Sequence, residues 1–551
     1  MDEVTGPHRA YREAGWWRDQ TFIDDLRRNA TRQPGKAAVI GHSSAGGAAG
    51  AAGGAASGRT DTIDYAELSR LTGRMARGLV DLGVRPGEFV AIMLPDYWHM
   101  FPLALACIQA GARLVPISPE FRRADMDHAF RLTEARVFIA ATDVSGFRPG
   151  EQALDLARDS GLPEHVVLLG DDRPPGTLSF DEIFLTGRGD DDGELAGRGL
   201  GPDDPFLVLF TSGTTGTTKA VLHSQNTLYA SIRAYADAFG LDDTMVTTTA
   251  HSNMYYVGLV VRLLCSLVLG GTAVCLDKWD PGASLDLMTR HGVTTFYGSP
   301  HFVRELLAAA LSRPTRPDRL TSVVSGSAPV PPQLAAEVKK VLGTRMFALW
   351  GMSENGAATC TRPDDPEDWP AHSDGRPAGG MQVRIDPLPG QDGVGPLWVR
   401  GPSQCLGYYK QEDIYAAELD ADDWFNTGDL ARDDGRGGIR ITGRTKDIII
   451  YKSSNLPVAE IEAVLGNHPK VADVALIGIP DPDTNERVLA IVTTAGGTAP
   501  TLQELREYLR EAGINDWCRP ERLEVIEAMP RNAMGKIRKA DLRARYRAPA
   551  S

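Results

Sequence analysis

The stretch FTSGTTGTTKAV, from Phe210 to Val221, sets two glycines and six hydroxyl side chains around one lysine, Lys219. Residues of this kind suit a chain of phosphates. Glycine lets successive backbone N–H groups turn into one concavity, and the hydroxyls add further donors. The run leading into it, FLVLF (Phe206 to Phe210), has a buried strand's composition, unlike the lead-in to an ordinary flexible surface loop. A Walker loop requires glycine just before its lysine, and here Thr218 stands there, so a P-loop NTPase or kinase is disfavoured.

Five more short motifs follow in order: SGSAPV (Ser325 to Val330), LWGMSENG (Leu349 to Gly356), WFNTGDL (Trp424 to Leu430), GRTKD (Gly443 to Asp447) and PRNAMGKI (Pro530 to Ile537). The set of six resembles the adenylate-forming superfamily of acyl-CoA synthetases, adenylation domains and firefly-type luciferases, whose phosphate loop usually reads T-S-G-T-T-G-x-P-K-G. The resemblance implies that Thr211, Ser212, Gly213, Thr214, Thr215, Gly216 and Lys219 hold the phosphates of ATP. It puts Ser327, Ala328 and Pro329 on the adenine side, and stacks Trp350 on the base with Gly351 and Met352 beside it. Ser353 would contact phosphate, Glu354 would hold Mg²⁺, and Asp429 and Arg444 would face the ribose. Lys446 takes the hinge position, and Lys536 matches the lysine that reaches the reacting carboxylate and the α-phosphate. Lys536, Glu354 and Thr211 are then the catalytic set. Lys452, Ser453 and Ser454 fall where coenzyme A's pantetheine arm enters.

The physical chemistry agrees with this pattern. A carboxylate attacks ATP poorly because both are anionic; Mg²⁺ and an amide-rich loop neutralise the leaving pyrophosphate, and a lysine fixes the attacking oxygen. The acyl-adenylate is a mixed anhydride that a thiol opens, so no protein nucleophile is needed. The expected activity is therefore an AMP-forming acid–thiol ligase using ATP, Mg²⁺ and coenzyme A. Two alternatives share these motifs: a specialist in one half-reaction, and a luciferase-like oxygenase.

The stretch AHSNMYYVGLV (Ala250 to Val260) matches the family's acid-pocket lining and contains no acidic residue to pair an ammonium group. His251, Tyr255, Tyr256, Val257 and Gly258 suggest an apolar, aromatic wall. FYGSP adds Tyr297, Gly298 and Ser299, with Gly298 expected to leave room for bulk. The look is closest to medium-chain and cyclohexanecarboxylate-type acyl-CoA ligases. Three departures from the family pattern bear on rate: Thr218 for proline with Ala220 for glycine, Ser453 for the glycine of the pantetheine tunnel, and Asn485 for a glycine before Glu486.

The elements that must position these residues alternate. VAIML, LVPIS, VFIAA and HVVLLG read as buried strands, YAELSRLTGRMARGLVDLG as a helix ending at a glycine, and YYVGLVVRLLCSLVLGG as a buried helix with a glycine cap. This predicts an α/β fold: a large N-terminal domain of layered sheets and helices (1–445) and a small mobile α+β C-terminal domain (446–551). The segment Ser43 to Gly58 is of low complexity and reads as a surface loop between two strands. At 551 residues and a net charge of −14, the chain has no basic field for nucleic acid. Six scattered cysteines without a C-x-x-C pair, a charged start and no membrane span fit a cytoplasmic enzyme. Its partners are a small carboxylic acid and coenzyme A, with a homodimer left open.

Overall fold

The computed structural model describes residues 7–44, 58–187, 192–211, 218–313, 316–451, 454–481, 483–532 and 535–546. The alternating apolar runs form two large sheets. One has nine strands, with a parallel centre from Arg345–Met352 through Ser322–Ser325, Thr295–Gly298, Val246–Thr249 and Thr272–Leu276 to Ala37–Ser43. The other has eight, with parallel strands Pro205–Thr211, Arg113–Pro116, Phe89–Met93, Val137–Ala141 and His165–Leu169. Covered on both faces, such strands are apolar throughout rather than alternating; Phe89–Met93 and Val137–Ala141 are buried at every position.

Helices between the sheets share one core with both. Met100–Ala110 (MFPLALACIQA) is apolar around its whole circumference and buried accordingly. It ends at Gly111 (φ +79°), where a Cβ would lie 2.3 Å from the Arg198 carbonyl oxygen, so only glycine fits. The predicted helix at Tyr65 runs to Asp81. The second predicted helix differs. Val257–Leu264 winds as a π-helix before the α-helical turn Cys265–Leu269 and its left-handed cap, Gly270. The π-turn lies directly beside the proposed acid-pocket residues.

A four-stranded antiparallel sheet, Gln382–Ile385, Gly395–Arg400, Phe425–Asp433 and Ile439–Arg444, brings the chain to the small domain. There Val471–Asp481 and Asn485–Thr494 form a long hairpin, joined by Arg522–Val525 and packed by helices Val458–Leu465, Leu502–Glu511 and Lys539–Tyr546. The strands flanking the low-complexity segment are Ala37–Ser43 and Arg59–Asp64; residues 45–57 lie outside the described residues. Among the described residues no helix is long and apolar enough to cross a membrane.

Candidate active site

Strand register brings the motif residues together. Asp429 and Arg444 are direct partners on adjacent strands, and Arg444 Nε lies 2.8 Å from Asp429 Oδ1. Trp350 Nε1 donates to the other oxygen, Asp429 Oδ2, at 3.0 Å. The carboxylate is thus held from two sides, and it fixes the partly buried indole. The tight hairpin after Trp350 is compulsory. A Cβ on Gly351 would sit 1.8 Å from the Gly356 carbonyl oxygen, and Gly356 itself is left-handed (φ +63°). That turn presents Ser353 and Glu354.

Two residues that the motifs did not single out hold the turn. His223, fully buried, donates from Nε2 to the Ser353 carbonyl at 2.7 Å. Burial pushes its pKa down to about 4, so the ring stays neutral. Tyr408 donates its hydroxyl to Glu354 Oε1 at 3.2 Å. Glu354 is 5% exposed, and burial raises its pKa. A desolvated carboxylate whose burial Lys219, Tyr408 and Arg444 offset only in part fits a divalent cation. Magnesium is ordinarily held by one or two carboxylates plus substrate phosphates, and no group of three metal-type side chains occurs among the described residues.

Of the phosphate loop, Ser212, Gly213, Thr214, Thr215 and Gly216 lie outside the described residues. Thr211 ends one strand, and Lys219 opens the antiparallel partner strand Lys219–Ser224. The Lys219 side chain is buried, with Nζ 2.8 Å from Glu418 Oε1 and 3.2 Å from the Tyr408 oxygen. A chain of contacts therefore runs Glu418, Lys219, Tyr408, Glu354. Beside it, Gln411 Oε1 accepts the Ala220 N–H at 2.9 Å and Gln411 Nε2 donates to the Thr218 carbonyl at 2.9 Å. Ala220 pairs in an ordinary strand with no positive φ, so a glycine's freedom is not required there. Asn485 does adopt φ +67°; asparagine is among the side chains that best tolerate that region, which accounts for it in a glycine position.

On the adenine side Ser327 is left-handed (φ +68°), Ser327 and Ala328 are partly exposed, and Pro329 is exposed. Tyr297, on the adjacent strand, packs under this turn: its hydroxyl would lie 2.5 Å from a Cβ on Gly326. Burial pushes the Tyr297 phenol up to about 12.

Several residues expected to line the acid pocket also pack together. His251 is buried against the rings of Tyr297 and Phe302, each 5.4 Å away between centroids. Tyr255 OH lies 2.6 Å from Ser118 Oγ. Tyr256 and Val257 are buried, and Gly258 packs so closely that a Cβ would meet the Ser252 carbonyl oxygen at 2.2 Å. Gly298 departs from expectation. Its missing Cβ makes room for the protein's own Phe296, 2.8 Å away, rather than for substrate. Behind the wall, the fully buried Arg262 bonds Asp96 Oδ2 at 3.0 Å, Asn253 Oδ1 at 2.6 Å and the Thr249 carbonyl at 3.3 Å. Asp96 Oδ1 in turn accepts the Asn253 N–H at 2.6 Å.

Lys536 reaches this centre from the small domain. Its pKa is lowered to about 8, chiefly by burial and next by the Arg444 cation, against the opposing pull of Asp429 and Glu354. Gly535, left-handed (φ +74°), lies against Ser299, whose Oγ would be 2.8 Å from a Cβ there. Lys446 sits between two anchors: Arg444 paired to Asp429, and Asp447 paired to Arg543 of the last helix at 2.6 Å. Burial lowers the Lys446 pKa. Ser454 pairs with Tyr451 across a hairpin; Lys452 and Ser453 lie outside the described residues.

The profile of the AMP-binding enzyme family matches residues 26–409, and that of the AMP-binding enzyme C-terminal domain matches residues 460–536. The chain is 29% identical to the medium-chain fatty-acid–CoA ligase of Escherichia coli (strain K12), covering 97% of this chain and 92% of that one. It is 30% identical to the salicyl-AMP ligase / salicyl-S-ArCP synthetase of Mycobacterium tuberculosis, covering 96% and 91%. The crystal structure of ATP-bound MatB from Rhodopseudomonas palustris superposes with a TM-score of 0.76 at 26% identity, covering 96% and 99%. The nucleotide-side motifs, the lysine loop facing them and these likenesses agree: the chain belongs to the AMP-binding enzymes, the adenylate-forming superfamily, and is an AMP-forming acid–thiol ligase of the acyl- and aryl-CoA ligase group.

Proposed function

We propose that this protein converts a hydrophobic carboxylic acid, bulky and cyclic or fatty, to its coenzyme A thioester and runs both half-reactions. The wall of the acid pocket carries the reading. It is built of His251, Tyr255, Tyr256, Val257 and Tyr297, and the acidic Asp96 behind it is already paired with Arg262 and Asn253. An amino-acid substrate would bring an ammonium group with no carboxylate on that wall to receive it.

In the first step a carboxylate oxygen attacks the α-phosphorus of ATP, forming the new P–O bond as the bond to pyrophosphate breaks. Lys536 offsets the repulsion and aligns that oxygen; Trp350, Asp429 and Arg444 hold adenine and ribose. Glu354 together with the substrate phosphates would hold Mg²⁺, which would supply charge neutralisation when bound. In the second step the coenzyme A thiol loses its proton and attacks the acyl carbon, and AMP leaves. Lys536 must then give way to the segment around Ser453. The two flanking ion pairs support Thr445 and Lys446 as the pivot between domains 1–445 and 446–551. A cytoplasmic setting belongs to the same reading, since all six cysteines are unpaired and buried.

The test is an acid panel with octanoate, cyclohexanecarboxylate, benzoate, salicylate and phenylalanine, scored for AMP and for the thioester by mass spectrometry. We expect turnover of at least one of the first two, and none of phenylalanine. Phenylalanine as the preferred substrate would overturn the reading. The likeness to a salicyl-AMP ligase favours one second reading, an aryl acid passed to a carrier-protein thiol. Salicylate-dependent AMP release without coenzyme A thioester would select it.

A further inference from the structure

The lysine loop comes down on one particular place in the large domain. Strand Thr295–Gly298 ends at Ser299, and helix Pro300–Leu311 begins immediately after it. Serine at an N-cap normally accepts a hydrogen bond from the first turn. Ser299 does not: its side chain makes no capping bond. The residue is 1% exposed, and Oγ is buried without a hydrogen-bond partner. Leaving a hydroxyl buried and unpaired is unfavourable, so the position is one that a ligand acceptor atom would satisfy.

Three neighbours say what kind of atom. Proline at the first helical position has no N–H, so the open donors of the first turn belong to His301 and Phe302. Val303 is the residue that closes onto the Ser299 carbonyl, at 3.0 Å. The start of a helix favours negative charge. Gly535 packs against Ser299 Oγ and the first turn, and the next residue in the chain is the cationic Lys536. Finally, Phe302 and Tyr297, on either side of Ser299 in sequence, both pack on the acid-pocket His251. The place thus has a hydroxyl and a helix start, covered by the glycine that precedes Lys536, beside residues expected to line the acid pocket.

We infer that Ser299 Oγ and the first turn of helix Pro300–Leu311 bind the carboxylate of the acid substrate, opposite Lys536, and hold one of its oxygens while the other attacks ATP. This rests on the ligase reading above and gives Ser299 a defined role in it. Ser299 would be a ligand for the charged head of the acid, while the aromatic wall takes its apolar body.

The experiment compares wild type with Ser299→Ala, a change that removes one buried atom and leaves no group unpaired. Substrates are octanoate, cyclohexanecarboxylate and benzoate, and the corresponding primary amides serve as competitive inhibitors. Initial rates are read as pyrophosphate release. For the acid with the highest wild-type kcat/KM, Ser299→Ala should raise the acid KM roughly 10- to 100-fold, the scale of one hydrogen bond to a charged group. The KM for ATP should stay within about twofold, and the inhibition constant of the amide, which keeps a neutral carbonyl acceptor, should rise clearly less than the acid KM. Ser299→Thr, which keeps the hydroxyl, should recover part of the loss. An unchanged acid KM overturns the assignment. So does equal weakening of acid and amide, which would make Ser299 a simple wall residue. A rise in the ATP KM alone would give the hydroxyl to the α-phosphate and also overturn it. If wild type adenylates none of these acids, the ligase reading itself fails for hydrophobic acids and takes the inference with it.

Discussion

Arg262→Met tests whether the buried cation behind the acid pocket is what shapes that pocket. Arg262 is 1% exposed and donates to Asp96, Asn253 and the Thr249 carbonyl. Methionine is a similar length of chain without donors. The variant leaves Asp96, with a side chain 11% exposed, in a nearly dry site with the Asn253 N–H as its remaining bond. Breaking a buried pair from one side costs about 3–5 kcal/mol. Removing both charges, as in Arg262→Met with Asp96→Leu, should cost clearly less, because no uncompensated charge is left behind. Urea unfolding followed by tryptophan fluorescence measures this in the right domain. Eight of the nine tryptophans precede residue 446, and only Trp517 follows it. We expect the single variant to lose several kcal/mol and the double variant to recover at least about 1 kcal/mol of it, a scale set by coupling between contacting residues. The single variant's acid KM should also rise, since Asn253 and Thr249 frame His251. A loss under about 1 kcal/mol for Arg262→Met, or a double variant no better than the single, would refute the reasoning.

Lys536→Ala should cut adenylation by at least ~10²-fold, the scale for one oriented charge, while thioester formation from supplied acyl-adenylate is largely spared; equal losses would remove Lys536 from the first step. Because the Lys536 pKa is lowered to about 8, chiefly by burial, its positive charge is present below that pH and lost above it. The adenylation kcat/KM of the free enzyme should therefore fall as pH rises through about 8, and Lys536→Arg, cationic throughout, should abolish that limb of the profile. Gln411→Leu deletes the bonds to Ala220 and Thr218, each worth about 1 kcal/mol, and should raise the KM for ATP without moving that of the acid. Asn485→Val forces a β-branched residue to φ +67° and should destabilise the small domain by about 1–2 kcal/mol, seen as faster hydrogen exchange there, whereas Asn485→Gly should not.

The motif residues were legible because their chemistry is written locally: Trp350, Glu354, Asp429 and Arg444 each sit in a short recognisable string, and strand pairing only has to bring the strings together. Their supporting residues were not. Tyr408 and Glu418 meet Lys219 because strand Gly407–Tyr408 pairs with Lys219–Ser224 across nearly two hundred residues of chain, and no spacing in the sequence announces such a pairing. His223 read as one more position in a buried strand. The apolar run after Tyr255 showed a buried helix, but apolar periodicity cannot separate a π-turn from an α-turn, and it hid the reason for Arg262. Gly298 misled for a related cause. A small residue signals that something lies close, and the neighbour proved to be Phe296 of the same strand.

The pairs Arg444–Asp429 and Asp447–Arg543 leave only Thr445 and Lys446 between a residue fastened to the large domain and one fastened to the small. Each backbone residue contributes two soft torsions, so the proposed swing would be carried by a handful of angles rather than by a slack tether. A joint with so few degrees of freedom traces an arc. Lys536 would leave and return along that arc instead of searching a volume, and its local concentration at the carboxylate would be set by geometry. Lengthening the joint by even two glycines would turn the arc into a cloud, diluting the lysine while every contact inside either domain stayed as it is.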